Sequence, residues 1–83
     1  MRCRLTHHAI MEMARRGISA DEVNAVMEAP GQVLAVRNGR CVYQSRIESG
    51  AILRVFVDVD RDPTEIVTAY RTSKIAKYWR SHP

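Results

Sequence analysis

The pattern of apolar and polar positions first follows the period of an α-helix. Thr6 is a favourable N-cap, and Ile10, Met13 and Ala14 then fall at i, i+3 and i+4, so that one face of the segment is apolar. Gly17 suits the left-handed position that ends a helix. The pattern therefore predicts a helix over residues about 7–16, with these three apolar side chains facing the core.

A second helix is predicted over residues about 20–29. Ser19 and Glu22 have the S-x-x-E spacing of a capping box, which marks the first turn. Pro30 cannot continue the helix and ends it. The expected core face consists of Val23, Val26 and Met27. Together the two segments predict an αα-hairpin.

After Pro30 the pattern changes to the alternation that is typical of β-strands. We expect strands over residues about 32–37, 40–47, 51–59 and 65–71, joined by short turns. Asn38-Gly39 is typical of a type I′ hairpin turn. The sequence predicts an α+β fold in which the αα-hairpin packs on one face of a four-stranded antiparallel β-meander. "RCRL", at residues 2–5, is compatible with a further short edge strand, which the pattern leaves undecided.

The C-terminal segment predicts a short helix over residues about 73–80, capped by Thr72. On such a helix one face would be apolar and would pack onto the sheet, and it contains Ile75, Ala76 and Trp79. The opposite face would meet solvent and contains Lys74, Lys77 and Tyr78. This amphipathic arrangement is typical of a terminal helix that covers a sheet.

The length of 83 residues predicts a single domain spanning residues 1–83. A domain of this size has a small stability margin, to which a homodimer would add. Cys3 and Cys41 have neither metal-ligand nor obvious disulfide spacing, so we expect them to be reduced. The sequence has no apolar run long enough to span a membrane. These features predict a cytoplasmic protein with no membrane partner.

The net charge of +4 is concentrated at the C-terminal end. From Met1 to Glu65, nine basic residues balance nine acidic ones. From Ile66 to Pro83 there is no acidic residue, and the basic residues are Arg71, Lys74, Lys77 and Arg80. Tyr70 and Tyr78 alternate with these cations, as on surfaces that bind the phosphates and bases of single-stranded RNA. The distribution favours an anionic partner, nucleic acid above all.

One polar stripe on the first helix suggests metal-free chemistry. His8 is followed by Glu12, Arg15 and Arg16 at i+4, i+7 and i+8. An imidazole that transfers a proton, beside guanidinium groups that stabilise a phosphate, is able to cleave RNA because the 2′-OH supplies the nucleophile. The same spacing is typical of a solvated helix face, which the spacing alone favours, and both interpretations stay open. We predict no metal and no cofactor, since the chain lacks ligand spacing and a glycine-rich phosphate loop.

The neighbouring His7 has a different expected position. It aligns with Ile10 and Ala14 along the helix, so its ring is expected to lie partly buried beside the core.

Two stretches resemble a family of small bacterial proteins classed as a domain of unknown function. "LTHHAIMEMARRGISADEVNAVMEAP" is similar to its opening pattern, L-T-x-H-A followed by R-G-I-S and E-x-V. "IVTAYRTSKIAKYW" is similar to its closing pattern, T-x-Y-x-T-x-K followed by K-Y-W. The family in turn resembles the RelE/ParE and BrnT toxins and metal-independent ribonucleases. This resemblance implies two helices on one face of an antiparallel sheet, and a toxin-like domain that binds or cleaves RNA.

The resemblance also implies a site where the first helix faces the last strand. The residues that match as catalytic are His8, Arg16, Tyr70, Thr72 and Lys74, with His8 as acid or base, Arg16 and Lys74 on the phosphate, and Thr72 and Tyr70 positioning the substrate. The expected nucleic-acid contacts are Arg15, Arg71, Lys77, Tyr78 and Trp79.

One position departs from the family pattern. Glu12 stands where the family often has an arginine, and a carboxylate would repel a phosphate. The alternative is therefore a catalytically inactive module that binds nucleic acid or an antitoxin-type protein.

Overall fold

The computed structural model describes residues 3–81, which form five strands and three helices. In chain order they are β1 (Cys3–Leu5), α1 (His7–Arg16), α2 (Ala20–Glu28), β2 (Gln32–Arg37), β3 (Arg40–Arg46), β4 (Ile52–Asp58), β5 (Thr64–Thr72) and α3 (Ile75–Tyr78). The fold is of the α+β class. None of these helices has the length and hydrophobicity needed to cross a membrane.

The sheet has five strands in the order β1-β5-β4-β3-β2, and it is mixed. Strands β2 to β5 pair antiparallel with their chain neighbours, whereas β1 pairs parallel to β5, with Cys3 opposite Thr64 and Leu5 opposite Ile66. The prediction of a four-stranded antiparallel meander was therefore incomplete. Its missing strand is three residues long and pairs only with a distant part of the chain, so no local pattern defines it.

Side-chain and glycine caps set the ends of the first two helices. The Thr6 hydroxyl accepts a hydrogen bond of 3.1 Å from the Ala9 amide, and Gly17 ends α1 with a left-handed φ of 65°. Ser19 and Glu22 form the reciprocal capping box that begins α2. These caps lie at the positions that the sequence indicates.

The core lies between the sheet and the faces of α1 and α2 that pack on it, α1 against β5 and α2 against β3 and β4. Val23 and Val26 of α2 are buried as expected, and Met27 packs against them. On α1, Met13 is buried as predicted and Ala9 is buried as well, whereas Ile10, which is 51% exposed, and Ala14 face solvent.

The predicted orientation of α1 was therefore wrong by about one residue, or about 100° of rotation. The Thr6 amide donates to the Ile66 carbonyl oxygen over 3.0 Å, which fixes where the helix leaves the sheet. From this start the small Ala9 side chain faces β5 and allows close approach. His7, expected beside the core, is exposed instead.

The β2–β3 hairpin forms, but its turn is not type I′. A type I′ turn needs positive φ at both central residues. Gly39 has a φ of 78°, whereas no non-glycine residue in the described range has a positive φ, Asn38 included. The pairing register shifts between Ala35 and Arg37, so the strand adjusts before the turn.

The C-terminal helix is shorter than predicted and is rotated. It covers Ile75–Tyr78, and Lys74, not Thr72, occupies the N-cap position, with no side-chain capping bond. The Thr72 hydroxyl accepts from the Lys74 amide over 3.1 Å instead. Tyr78, expected in solvent, lies over Arg54 on the sheet face opposite α1 and α2, while Ala76 is exposed.

Candidate functional site

The second half of β5 forms an open edge of the sheet beside the end of α1. Strand β1 pairs only with Thr64–Ile66, so the rest of β5 has β4 as its strand neighbour on one side alone. Arg16 reaches this edge from α1. Its Nη1 donates to the Ala69 carbonyl oxygen at 2.8 Å and to the Thr68 hydroxyl at 3.3 Å. Arg16 thus donates a hydrogen bond to a backbone carbonyl oxygen on the side of β5 where no strand pairs.

Arg71 connects β5 to the junction between α1 and α2. Its guanidinium donates to the carbonyl oxygens of Arg16 and Gly17, at 3.0 and 2.9 Å, and to the Glu22 carboxylate at 3.0 Å. Carbonyl groups at the end of a helix lack partners within the helix, and a cation there is favourable. Arg71 therefore has a structural role as well as a positive charge at the surface.

Arg16, Tyr70 and Arg71 together line a cleft of about 380 Å³ at the open edge. This volume lies at the lower end of the range of small-ligand pockets, about 300–1,000 Å³. The Nη atoms of both arginines are already bonded within the protein, so the two guanidinium groups offer an anion their positive charge and their remaining N–H donors, with Tyr70 beside them. The arrangement is suited to bind an anion with an aromatic group beside it.

The carboxylate of Glu12 is held by the arginines around it. It pairs with Arg15 at 2.8 Å and with Arg16 at 2.9 Å. The hydrogen bond from Arg15, with the charges of Arg15 and Arg16, lowers the pKa of Glu12 below its ordinary value. Two arginines on one carboxylate leave a positive charge in excess, so Glu12 does not make this part of the surface anionic.

His8 and Lys74 lie at opposite ends of the α1–β5 layer. Because α1 begins beside Ile66 and ends beside Arg71, it runs along β5. His8 is exposed near the start of the helix, about 12 Å along its axis from Arg16. Lys74 follows Thr72, about 20 Å of strand beyond Ile66. The structure therefore brings together Arg16 and Tyr70 with Arg71, and separates His8 from Lys74.

A second cluster surrounds Arg54 on the face of the sheet opposite α1 and α2. Arg54 is only 8% exposed, and its Nε donates to Gln44 Oε1 at 2.8 Å while its Nη1 donates to the Tyr70 hydroxyl at 2.7 Å. Its Cζ lies 4.2 Å from the ring centre of Tyr78 and 5.3 Å from that of Phe56. Cation–π contact partly replaces the water that this guanidinium has lost.

Glutamine side chains connect the Arg54 cluster to the C-terminal segment. Gln44 is fully buried, and its amide donates to Gln32 Oε1 at 2.8 Å and to the Tyr78 carbonyl oxygen at 3.0 Å. Gln32 in turn bonds to both the backbone N–H and the carbonyl oxygen of Arg80. These bonds hold α3 over the sheet and fix the plane of the Arg54 guanidinium.

The aromatic residues of the C-terminal segment differ in their surroundings. Tyr78 lies beside Lys77, whose Nζ is 5.2 Å from its ring centre. Hydrogen bonding from Lys77, then from Tyr70, and the charge of Arg54 lower the pKa of the Tyr78 hydroxyl. Trp79 instead stacks under Arg46, at 5.0 Å. Lys74 and Lys77 are exposed and form no ion pair with other residues in the range 3–81.

Sequence reasoning missed Arg54, Phe56 and Gln44. The signal was present, because Arg54 and Phe56 alternate with the core residues of β4, and Gln44 lies directly opposite Arg54 on β3. An arginine and an aromatic residue on the outer face of a central strand indicate a second covered surface. The prediction packed the αα-hairpin on one face of the sheet and the C-terminal helix onto the sheet, without naming the face that the C-terminal helix covers.

The fold and this surface define a small α+β domain with a basic, aromatic cleft at an open sheet edge. The chain belongs to the family described as a domain of unknown function, DUF4258, which matches residues 5–71. The match includes α1, α2, the strands β2 to β4 and β5 as far as Arg71. It therefore contains the cleft residues. No curated protein and no solved structure matches the chain.

Proposed function

We propose that this protein is a toxin-like domain that binds single-stranded RNA at the open edge of β5. The observation that carries the proposal is the cleft in which Arg16 and Arg71 flank Tyr70. Guanidinium groups bind phosphate oxygens through two parallel hydrogen bonds, and a phenol ring stacks on an unpaired base. Duplex RNA would not present a base to Tyr70.

The charge around the cleft supports an extended anionic ligand. Glu12 and Glu22 offset part of the charge of Arg15, Arg16 and Arg71, and one positive charge remains. The exposed Lys74 and Lys77 continue the positive surface along the C-terminal segment. A single strand that crosses the cleft would therefore meet further phosphate contacts on the side of α3.

A second candidate function is metal-independent cleavage of the bound RNA. His8 is exposed and available to transfer a proton, and Glu12 is held in ion pairs that limit its repulsion of a phosphate. In this mechanism the 2′-oxygen attacks the adjacent phosphorus while the imidazole of His8 accepts the hydroxyl proton. The P–O5′ bond breaks, the 5′-oxygen takes a proton from water, and a 2′,3′-cyclic phosphate is left. His8 is about 12 Å from Arg16 along the helix. The phosphate that is cleaved would therefore be a different phosphate of the same RNA chain from the one that Arg16 binds.

The resemblance to RelE/ParE and BrnT toxins belongs to the same proposal. Its structural support is the order of an αα-hairpin followed by antiparallel strands, here β2 to β5. Proteins of one fold carry out different functions, so the proposal depends on the cleft residues and not on the shape alone.

The test is a titration of fluorescent single-stranded RNA in EDTA, at about 50 and about 200 mM salt. We expect binding that weakens as salt rises, and weaker binding to a duplex of the same sequence. Gel analysis of the same samples tests cleavage, with His8→Ala as the matched variant. Cleavage by wild type that His8→Ala abolishes would support the second candidate, and equal cleavage by both would contradict it.

Failure to bind RNA at either salt concentration would overturn the proposal. A stable complex with a protein in place of RNA, detected by size-exclusion chromatography with the product of an adjacent gene, would instead establish the antitoxin-type interaction as the function of this surface.

A further inference from the structure

Arg54 is a nearly buried cation without a carboxylate partner. It is 8% exposed, and within residues 3–81 it takes part in no ion pair. Its neighbours are the Gln44 amide and the Tyr70 hydroxyl, which are neutral. Burial of an unpaired charge is unfavourable, so a position of this kind often serves a ligand rather than stability.

The guanidinium still has free donors that reach the surface. Its Nε and one Nη1 hydrogen are bonded, whereas Nη2 forms no hydrogen bond to a described residue. Among those residues the one fully buried side-chain polar atom that lacks a partner is Asn24 Oδ1. Nη2 also lacks a partner among these residues, so it is not fully buried and remains accessible to a ligand.

The surroundings of this edge indicate the charge of the ligand. Tyr78 is 4.2 Å from Arg54 Cζ and 5.2 Å from Lys77 Nζ, so two cations contact the same ring. A guanidinium edge takes up two oxygens of a phosphate or a carboxylate. A second cation favours the phosphate monoester, which carries a charge of about −1.5 to −2 at neutral pH.

The depth of the site indicates which phosphate enters it. An internal phosphodiester has a ribose on each side and cannot pass between rings that leave so little of Arg54 exposed. A phosphate at a chain end protrudes and has a single substituent. The rings of Tyr78, Phe56 and Tyr70 beside the guanidinium are suited to contact the terminal base.

We infer that Arg54 is the binding site for a terminal phosphate monoester, with Gln44 and Tyr70 as positioning residues for its guanidinium. The assignment of RNA as the molecule that carries this phosphate rests on the proposed function. Tyr70 joins the two surfaces, because it lines the cleft with Arg16 while its hydroxyl accepts from Arg54. The protein would then select the ends of single-stranded RNA.

The test compares three oligonucleotides of one sequence, with a 5′-phosphate, a 3′-phosphate or hydroxyl groups at both ends. Fluorescence anisotropy with wild-type protein should give a Kd about tenfold lower for at least one of the phosphorylated forms, as charge-assisted paired hydrogen bonds would produce. If all three bind equally, RNA binding stands and the inference about Arg54 is overturned.

A small-molecule arm separates the inference from the proposed function. A nucleoside monophosphate, the matching nucleoside and inorganic phosphate are titrated while the Arg54 Nε–H resonance is followed by NMR. If no oligonucleotide binds but the monophosphate alone moves this resonance, the Arg54 site stands and the RNA proposal fails. If neither the monophosphate nor inorganic phosphate moves it, the site is contradicted.

Variants identify the residue responsible. Arg54→Lys keeps the charge but removes the paired donors, and it should abolish the tenfold preference. Arg61→Gln, which removes an exposed arginine from the β4–β5 loop, should leave the preference intact. An Arg54→Lys protein that folds and retains the preference would overturn the inference. If that variant does not fold, the inference is tested by the affinities of wild-type protein for the three oligonucleotides.

Discussion

Arg16 Nη1 and the carbonyl oxygen of Ala69 are joined by a 2.8 Å hydrogen bond that fastens the last turn of α1 to the open edge of β5. The same guanidinium also holds Glu12 at 2.9 Å. Arg16 is therefore a structural connection and a cleft residue at once. This double role means that its removal should affect both folding and binding.

Replacement of Arg16 by alanine should lower the free energy of unfolding by about 1–2 kcal/mol, because two half-buried acceptors lose their donor. Urea denaturation followed by circular dichroism measures the change. Arg15→Ala is the matched control, since Arg15 is exposed and its side chain bonds, within residues 3–81, only to the Glu12 carboxylate. The control should show little change, and equal losses for both variants would contradict this account of Arg16.

Ser19→Ala should lower the free energy of unfolding by about 1 kcal/mol, the usual contribution of a side-chain N-cap. The Ser19 hydroxyl accepts from the Glu22 amide at 3.1 Å, and the Glu22 carboxylate accepts from the Ser19 amide at 2.9 Å. Thermal denaturation provides the measurement. Ser49→Ala, in the exposed turn before β4, is expected to leave the midpoint unchanged.

Stability should decrease as the pH falls below about 4.5, and Glu22 should contribute to the decrease. Hydrogen bonding from the Ser19 backbone, and then from Arg71, lowers the pKa of Glu22 below its ordinary value of 4.5. A carboxyl group whose pKa is lower in the folded protein binds a proton more readily in the unfolded chain. The stabilisation that Glu22 contributes is therefore present above pH 4.5 and is lost as the pH falls through the pKa of Glu22 in the folded protein.

Glu22→Gln keeps the capping acceptor and removes the charge. Its unfolding free energy should therefore depend less on pH than that of wild type between about pH 5 and pH 2. Urea midpoints measured across this range provide the comparison. Curves that run parallel for the two proteins would show that the Glu22 charge does not contribute.

Tyr70→Phe should be destabilising by about 1–3 kcal/mol, since it leaves a donor of the nearly buried Arg54 without its acceptor. Tyr43→Phe is the control, because the Tyr43 hydroxyl forms no hydrogen bond within residues 3–81. The control should unfold close to wild type. If Tyr70→Phe is as stable as Tyr43→Phe, water replaces the phenol and Tyr70 does not hold Arg54 in place.

Local patterns define most of the elements in this fold. Thr6, Gly17 and the Ser19–Glu22 pair mark helix ends through contacts within a few residues, and the alternation in β4 indicates which of its side chains belong to the main core. The parallel pairing of β1 with β5 depends instead on residues far apart in the chain. The rotation of α1 is likewise set by the distant bond from Thr6 to Ile66.

The residues of the candidate site also fall into those that the sequence indicates and those that depend on distant contacts. The sequence and the family resemblance point to Arg16 and Tyr70, which the fold places in one cleft with Arg71. The alternation in β4 places Arg54 on the outer face of the sheet, but the contact with Tyr78 that covers it depends on a distant part of the chain. A four-residue helix such as α3 has little intrinsic preference, and tertiary contacts decide which side faces the sheet.

The salt dependence of RNA binding tests the central claim most directly. The Kd for a single-stranded RNA is measured by anisotropy at several salt concentrations for wild type, for Lys74→Gln/Lys77→Gln and for Arg37→Gln/Arg61→Gln. The second double variant removes equal charge from exposed positions away from the cleft.

If Lys74 and Lys77 each contact one phosphate, the slope of log K against log salt should become shallower by about 1.4 for the first double variant, at about 0.7 per contact. The control should keep the wild-type slope. Absence of RNA binding, or an equal change in slope for both double variants, would contradict a binding surface at the open edge of β5.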